Sequence, residues 1–176
     1  MSSSIETEKK VYEFLDDLYY WTKEPGHVWV RKEEAIKGKH QVKIGIDTFA
    51  ADVAGKALYI NMLPVGAKIA QGRVFALIEA GKYVGGIPSP LSGRIIWRNE
   101  KTIDVPKIIN EDPYDEGWLV ILETYAVEGE LKSKYFVHGK DAIYNWMEDE
   151  LKKFEIENAE ITMTRREDLL ARKDAE

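Results

Sequence analysis

The chain contains no cysteine. A disulfide framework and a Cys-based metal site are therefore excluded, and any thiol chemistry must arrive on a prosthetic group. Histidine is scarce: His27, His40 and His138 are the three present, and their separation matches no metal-ligand spacing. No nucleophile–base motif stands out, so the histidines are expected to be structural or at the surface. No stretch approaches the roughly 20 apolar residues of a membrane-spanning helix. The segment Met1–Lys10 lacks the apolar run of a secretion signal, so a cytoplasmic location is expected. Basic charge is in deficit, with 25 Lys+Arg against 31 Asp+Glu. A net charge of −6 favours solubility and speaks against a nucleic-acid backbone as partner.

What is present is an ordinary globular composition, 44% hydrophobic and 32% charged over 176 residues. That length suits one domain with an appendage. Three segments differ in pattern. In residues 1–26, Val11, Phe14, Leu15, Leu18 and Tyr19 recur at helical spacing, which predicts a short amphipathic helix ended by Pro25-Gly26. Residues 27–123 hold short runs rich in β-branched and aromatic residues, separated by Gly, Pro and Asn: 28–30, 41–46, 57–63, 74–78, 94–97 and 118–122. Many short strands at close spacing predict a sandwich or barrel. Between them, Asp47 to Ala54 reads as one or two helical turns with Asp47 as N-cap, and Asp104 to Ile109 as another short helix. Residues 124–176 carry 9 Lys+Arg and 13 Asp+Glu. Here Ile143, Trp146, Met147, Leu151 and Phe154 share a helical face, with Asp141 placed to cap it and Glu148–Lys152 as an i,i+4 pair. Thr164-Arg-Arg-Glu167 has the form of a capping box opening a last polar helix. This segment is expected to be a helical extension, packed on the barrel or used to dock a partner.

One stretch carries chemistry: Glu79-Ala-Gly-Lys82-Tyr-Val-Gly-Gly-Ile-Pro-Ser-Pro-Leu-Ser-Gly93, between two apolar strands. Gly81, Gly85 and Gly86 permit left-handed backbone and hence a sharp turn around Lys82. A lysine at such a tip is solvated, because burying its charge is costly. It is also reachable by a modifying enzyme. By itself this feature does not distinguish a working lysine from an idle one.

The wider order of motifs does. His27-Val-Trp29-Val30-Arg31 is followed by Val42-Lys-Ile-Gly-Ile46, Ala54-Gly-Lys-Ala-Leu-Tyr-Ile60, Leu63-Pro-Val-Gly66 and Gln71-Gly72. After the lysine turn come Ser89-Pro-Leu-Ser-Gly93, Asn99-Glu100 and Ile109-Asn-Glu-Asp-Pro-Tyr-Asp-Glu-Gly-Trp-Leu119. Over residues 27–123 this series resembles the H protein of the glycine cleavage system, most specifically in the segment Asn110 to Trp118 and in the Lys82 turn. The resemblance implies a mainly β barrel-sandwich hybrid of antiparallel strands with short helices, and lipoate in amide linkage to Lys82. It implies a carrier rather than an enzyme. Glu79 matches an acidic residue that the family places three positions before the lysine, to be read by the lipoylating enzyme. Lys68, Lys101 and Lys107 lack the glycine-flanked turn.

The flank departs from the family. Glycine-cleavage H proteins usually have Ser-Val before the lysine and small residues, then Ser-Asp, after it. Here Ala80-Gly81 precede Lys82 and Tyr83-Val84-Gly85-Gly86 follow. That flank resembles the lipoate-binding proteins of the sulfur-oxidising heterodisulfide-reductase-like system, as does Asp16-Asp-Leu-Tyr-Tyr-Trp21. Tyr83 either packs over the arm's methylenes or is a plain strand residue. Three readings follow. The flank favours a carrier of sulfur compounds for a heterodisulfide-reductase-like complex. The whole domain favours an H protein carrying an aminomethyl group between glycine decarboxylase and aminomethyltransferase. The altered flank and the tail also allow an unmodified barrel acting as a binding module. A biotin carrier lacks its usual Met-Lys-Met. Either carrier would need a lipoate ligase or lipoyl transferase, and dihydrolipoamide dehydrogenase to reoxidise the arm.

Overall fold

The computed structural model describes residues 8–176. The start of the expected N-terminal segment lies outside the described residues. The strands are β1 (Lys10–Leu15), β2 (Tyr19–Trp21), β3 (Val28–Lys32), β4 (Gln41–Ile46), β5 (Ala57–Met62), β6 (Lys68–Ile69), β7 (Val74–Ala80), β8 (Val84–Pro88), β9 (Gly93–Arg98), β10 (Val120–Thr124), β11 (Phe136–His138) and β12 (Ala159–Thr164). The helices are α1 (Thr48–Ala54), α2 (Glu100–Asp104), α3 (Ile108–Glu111), α4 (Val127–Glu130), α5 (Lys140–Lys153) and α6 (Arg166–Asp174).

Two antiparallel sheets enclose the main core, and neither closes into a barrel. One has seven strands in the order β11-β2-β3-β4-β10-β9-β6, the other three in the order β5-β7-β8. Their inward residues alternate with outward ones, as in β10, where Val120, Leu122 and Thr124 are buried and Ile121 and Glu123 are less so. Val30, Ile44, Leu91, Ile95 and Leu122 meet between the sheets, each with no exposed surface. Burying such a side chain contributes about 1.5–3 kcal/mol. This is the mainly β barrel-sandwich hybrid expected, with short helices and a C-terminal helix.

A second core joins the two chain ends to this frame. Phe14, Leu15, Leu18 and Tyr20 pack with Trp29, Phe49, Ile143 and Met147. Strands β1 and β12 pair in parallel, Lys10 opposite Ala159 through Leu15 opposite Thr164. A parallel pair needs a crossover; here nearly the whole chain lies between its two strands.

Five local expectations are corrected. The segment from Val11 to Tyr19 is not a helix but strands β1 and β2 joined by a tight turn. Its apolar spacing fits both periods; Val11 is 56% exposed and Tyr12 is buried, and the pairing with β12 makes the first part a strand. So short a segment is a poor helix alone, while β12 supplies partners to its backbone. The helix expected at 104–109 splits into α2 and α3, because Pro106 lacks an N–H and keeps Val105 out of the helical region, at φ −133° and ψ 76°. Asp141 lies inside the first turn of α5, whose N-cap is Gly139. The Thr164–Glu167 capping box does not form: Arg165 is the N-cap of α6, and the Thr164 hydroxyl donates to the Glu13 carboxylate at 2.7 Å. The tail also contains β11 and β12, so it is not purely helical. Asp47 does cap α1, its Oδ1 accepting from the Ala50 N–H at 2.8 Å.

Candidate functional site: a lysine hairpin beside an apolar cleft

Strands β7 and β8 form a hairpin, with Glu79 opposite Val84 and Leu77 opposite Gly86. The turn closes through the Ala80 N–H, which donates to the Tyr83 carbonyl at 2.8 Å. Lys82 projects from this tip and is exposed, as are Glu79, Gly81 and Tyr83, while Gly85 is half-buried.

The tip is clamped from the loop that follows α1. The Lys82 N–H donates to the Ala54 carbonyl at 2.8 Å, and the Gly81 N–H to that of Lys56 at 3.0 Å. Asn110 holds the loop in turn. Its Oδ1 accepts from the Ala57 N–H at 2.8 Å, and its Nδ2 donates to the carbonyls of Gly55 at 2.8 Å and Ala51 at 3.1 Å. A side-chain amide that satisfies three backbone groups fixes their geometry. The lysine backbone is thereby anchored while its amine stays free to move.

The glycines act differently from the expectation. Gly81, Gly85 and Gly86 do not adopt positive φ; the left-handed residue at this site is Gly55, at φ +81°. A Cβ on Gly55 would stand 3.3 Å from the Lys82 nitrogen. Gly85 is needed for space instead. The Tyr83 ring folds back along β8, its hydroxyl donating to the Gly86 carbonyl at 3.3 Å. A Cβ on Gly85 would meet that hydroxyl at 2.5 Å.

Beside the tip opens a cleft of about 310 Å³. Ala54 and Tyr83, the neighbours of Lys82, line it together with Phe49, Val53, Ile78 and Ile87. Its polar groups are already engaged. Glu24 pairs with Lys153, and Glu150 accepts from His27 Nε2 at 3.2 Å. His27 Nδ1 in turn donates to Asp47 Oδ2 at 2.8 Å. The His27 ring lies between Trp146, stacked at 4.5 Å, and Phe49 at 4.7 Å. Burial disfavours charge on this ring, but the Asp47 and Glu150 carboxylates outweigh it and lift the His27 pKa to about 9. Within α1, partial burial works against charge on Asp52. The Tyr12 hydroxyl, Lys10 and Lys82 prevail and hold its carboxyl below the usual range.

Lipoate would need an amine that solvent and an enzyme can reach, and an apolar surface for its hydrocarbon chain; both are here. Competing lysines are less free: Lys101 is paired with Glu116 at 2.6 Å and Lys107 with Glu111 at 3.7 Å. Sequence reasoning missed Gly55, the Asn110 clamp and the His27–Glu150 contact. The last spans 123 positions along the chain, and no local pattern signals it. His138 stacks on Tyr19 and bonds the Leu18 carbonyl. Among the described residues no group of His, Asp or Glu is arranged to hold a metal ion.

An anchored lysine hairpin beside an apolar cleft, on a barrel-sandwich hybrid, is the architecture of a swinging-arm carrier domain. The glycine cleavage H-protein family model matches residues 18–148. The chain is 35% identical over 127 residues to glycine cleavage system H protein 2 of Aquifex aeolicus, covering 72% of this chain and 74% of that one. It is 39% identical over 97 residues to the glycine cleavage system H protein of Coprothermobacter proteolyticus, covering 55% and 73%. The fold matches a crystal structure of a glycine cleavage system H protein from Mycobacterium marinum, with TM-score 0.62 at 22% identity over 78% of this chain and 98% of that one. The chain belongs to the glycine cleavage H-protein family. H proteins are carriers rather than enzymes, and they bear lipoate on a lysine. No helix among the described residues is long and apolar enough to cross a membrane.

Proposed function

We propose that this chain carries lipoate on Lys82 and moves it between the active sites of partner enzymes in the cytoplasm. The observation that carries the reading is an exposed lysine on an anchored tip whose neighbours line an apolar cleft. When bound, the dithiolane supplies thiol–disulfide exchange, which a chain without cysteine lacks. The protein's own residues hold and present the arm. Asn110 and the α1 loop fix its root, and a tether on a fixed root makes each visit to a partner site effectively local. Glu79 stands on the exposed face of β7 as a recognition point for a lipoate ligase or lipoyl transferase. Peptide mass spectrometry after co-expression with a lipoate ligase tests this. A lipoyl adduct on the peptide containing Lys82 is expected; an unmodified Lys82, with a control substrate modified in the same cells, would leave a barrel that only binds.

The cargo has two readings. The relatives' names favour glycine cleavage: an aminomethyl group carried from glycine decarboxylase to aminomethyltransferase, with dihydrolipoamide dehydrogenase reoxidising the arm. They lend nothing to a sulfur cargo. One structural observation does favour it: the cleft is apolar and its carboxylates Glu24 and Glu150 are paired, so a cationic amine finds no free partner there. Glycine–bicarbonate exchange with a decarboxylase separates the two. Exchange supported by the lipoylated protein establishes the aminomethyl cargo. No exchange, with loading by a heterodisulfide-reductase-like complex, establishes the sulfur cargo.

The turn chemistry gives a further prediction. Gly81→Ala should be lipoylated normally, because a Cβ there meets nothing nearer than 3.8 Å. Gly55→Ala should be lipoylated several-fold more slowly, because a side chain at φ +81° is strained and presses on the Lys82 nitrogen. Equal rates for the two variants would contradict this account of the tip.

A further inference from the structure

The family match begins at residue 18. Strand β1 lies before it, yet β1 bears on the root of the lysine. Strand β12 pairs with β1 along its whole length. The Thr48 hydroxyl ties β1 to α1 by donating to the Glu13 carbonyl at 2.9 Å, and the Tyr12 ring packs edge-on against Phe49 at 5.2 Å. So placed, β1 sends two donors to one atom of α1. The Lys10 ammonium at 2.9 Å and the Tyr12 hydroxyl at 2.6 Å both donate to Asp52 Oδ2. A carboxylate accepts on both oxygens, and no hydrogen bond among the described residues reaches Asp52 Oδ1. Asp52 lies three residues before Gly55, whose N–H donates to the Asp52 carbonyl at 3.1 Å. The stem of Lys82 runs over that same glycine: a Cβ on Gly55 would stand 3.4 Å from Lys82 Cγ. Among the described residues Lys82 makes no direct ion pair, yet its charge is one of those that hold the Asp52 carboxyl below the usual range.

We infer that Asp52 Oδ1 is the resting place of the unmodified Lys82 ammonium: β1 fixes the carboxylate through Oδ2, the flexible four-carbon stem brings the amine to the open oxygen, and acylation releases the side chain. In that acylation Nζ bonds to the carbonyl carbon of an activated acyl donor. The donor's leaving group departs with the bonding electron pair, and the ammonium loses two protons. The product amide is neutral, so charge no longer draws it to Asp52. Lys10 and Tyr12 remain on the carboxylate, which is therefore not stranded when the arm is loaded. Asp52 is a positioning residue that separates two states of one side chain, held while it is a lysine and free when it bears the arm. Both partners are exposed, so the pair is weak and a modifying enzyme can draw the amine away from it. The use ascribed to the pair rests on the assignment of lipoate to Lys82; the pair itself does not.

The test uses the full chain and has two readouts. The first is the titration of the Asp52 carboxyl carbon, followed by carbon-13 NMR. Lys82→Gln and the lipoylated protein, both neutral at position 82, should titrate about 0.2–0.7 pH units above the unmodified chain, the range that an exposed ion pair supports. Lys82→Arg, which keeps the charge, should titrate with the unmodified chain. The second is trace acetylation by acetic anhydride, read by peptide mass spectrometry as labelling of Lys82 relative to exposed Lys68. A paired ammonium must leave its carboxylate before it reacts, so Asp52→Asn should raise that ratio about two- to fivefold. Asp52→Glu, which keeps the charge, should not. An Asp52 carboxyl that titrates alike in Lys82→Gln and the unmodified chain would overturn the pairing while leaving the carrier assignment intact. So would an unchanged labelling ratio in an Asp52→Asn protein that is folded by circular dichroism. The expected shift in Lys82→Gln, in a chain never lipoylated on Lys82, would overturn the carrier assignment and leave the pairing standing.

Discussion

Lys82→Arg should give a folded protein of unchanged stability that carries nothing. The substitution keeps the positive charge near Asp52 and approximately the same length. Arginine is never deprotonated in a protein, so it offers no neutral amine for acylation. The tip itself is held by backbone groups, the Lys82 N–H on the Ala54 carbonyl and the Gly81 N–H on that of Lys56, and neither depends on the side chain. Exposed substitutions away from caps and cores usually fall within about 0.5 kcal/mol, so the melting temperature should stay put while lipoyl incorporation falls to nothing. The separation between the two readouts is the informative part. Loss of both would mean that the side chain supports the fold; retained loading would mean that another lysine bears the arm. Lys56 is the neighbour to watch, since its carbonyl meets the same turn.

The carrier frame was readable because its signals are local. Strands β3, β4, β5, β7, β9 and β10 are β-branched runs between glycines, prolines and asparagines, and they fold where those residues place them. Strand β8 was hidden inside the lysine turn, because Gly85, Gly86 and Pro88 read as loop residues. In fact Gly85 makes room for the Tyr83 ring. The N-terminal strands were misread because their spacing satisfies two periods at once. What decided between them was β12, which joins from the far end of the chain.

The same distinction runs through the site. Lys82 stands out as the candidate from its glycine-flanked position and the order of motifs around it, and its exposed place on the hairpin tip fits that expectation. Asn110 was legible as part of a motif but not as a clamp, since its partners at Ala51, Gly55 and Ala57 are more than fifty residues away. The cleft was not legible at all. Its walls come from the turn before β3, the end of β4, α1, the β7–β8 hairpin and the end of α5, segments that only the fold assembles.

Stability should fall as pH rises through about 9, and His27 should be the reason. His27 is 4% exposed, and both its ring nitrogens face carboxylates: Asp47 at 2.8 Å and Glu150 at 3.2 Å. Only the imidazolium donates to both; the neutral ring would turn a lone pair on one of them. Burial opposes the charge, but the two carboxylates win and the folded-state pKa rises to about 9 from about 6.5 in an unfolded chain. A pKa raised on folding means that the folded state binds the proton more tightly. The stabilisation is therefore complete below pH about 6.5 and is lost as pH climbs through 9, with a size of about 3 kcal/mol. Chemical denaturation across pH 6 to 10 should show that decline in the wild type. His27→Gln, which cannot titrate, should start lower, because removing one member of a buried charged network is costly, and then change little over the same range. Parallel decline in both proteins would place the titrating group elsewhere. Because His27 bonds Glu150 and stacks on Trp146, the end of α5 should loosen over the same pH interval, visible as a change in Trp146 emission that His27→Gln abolishes.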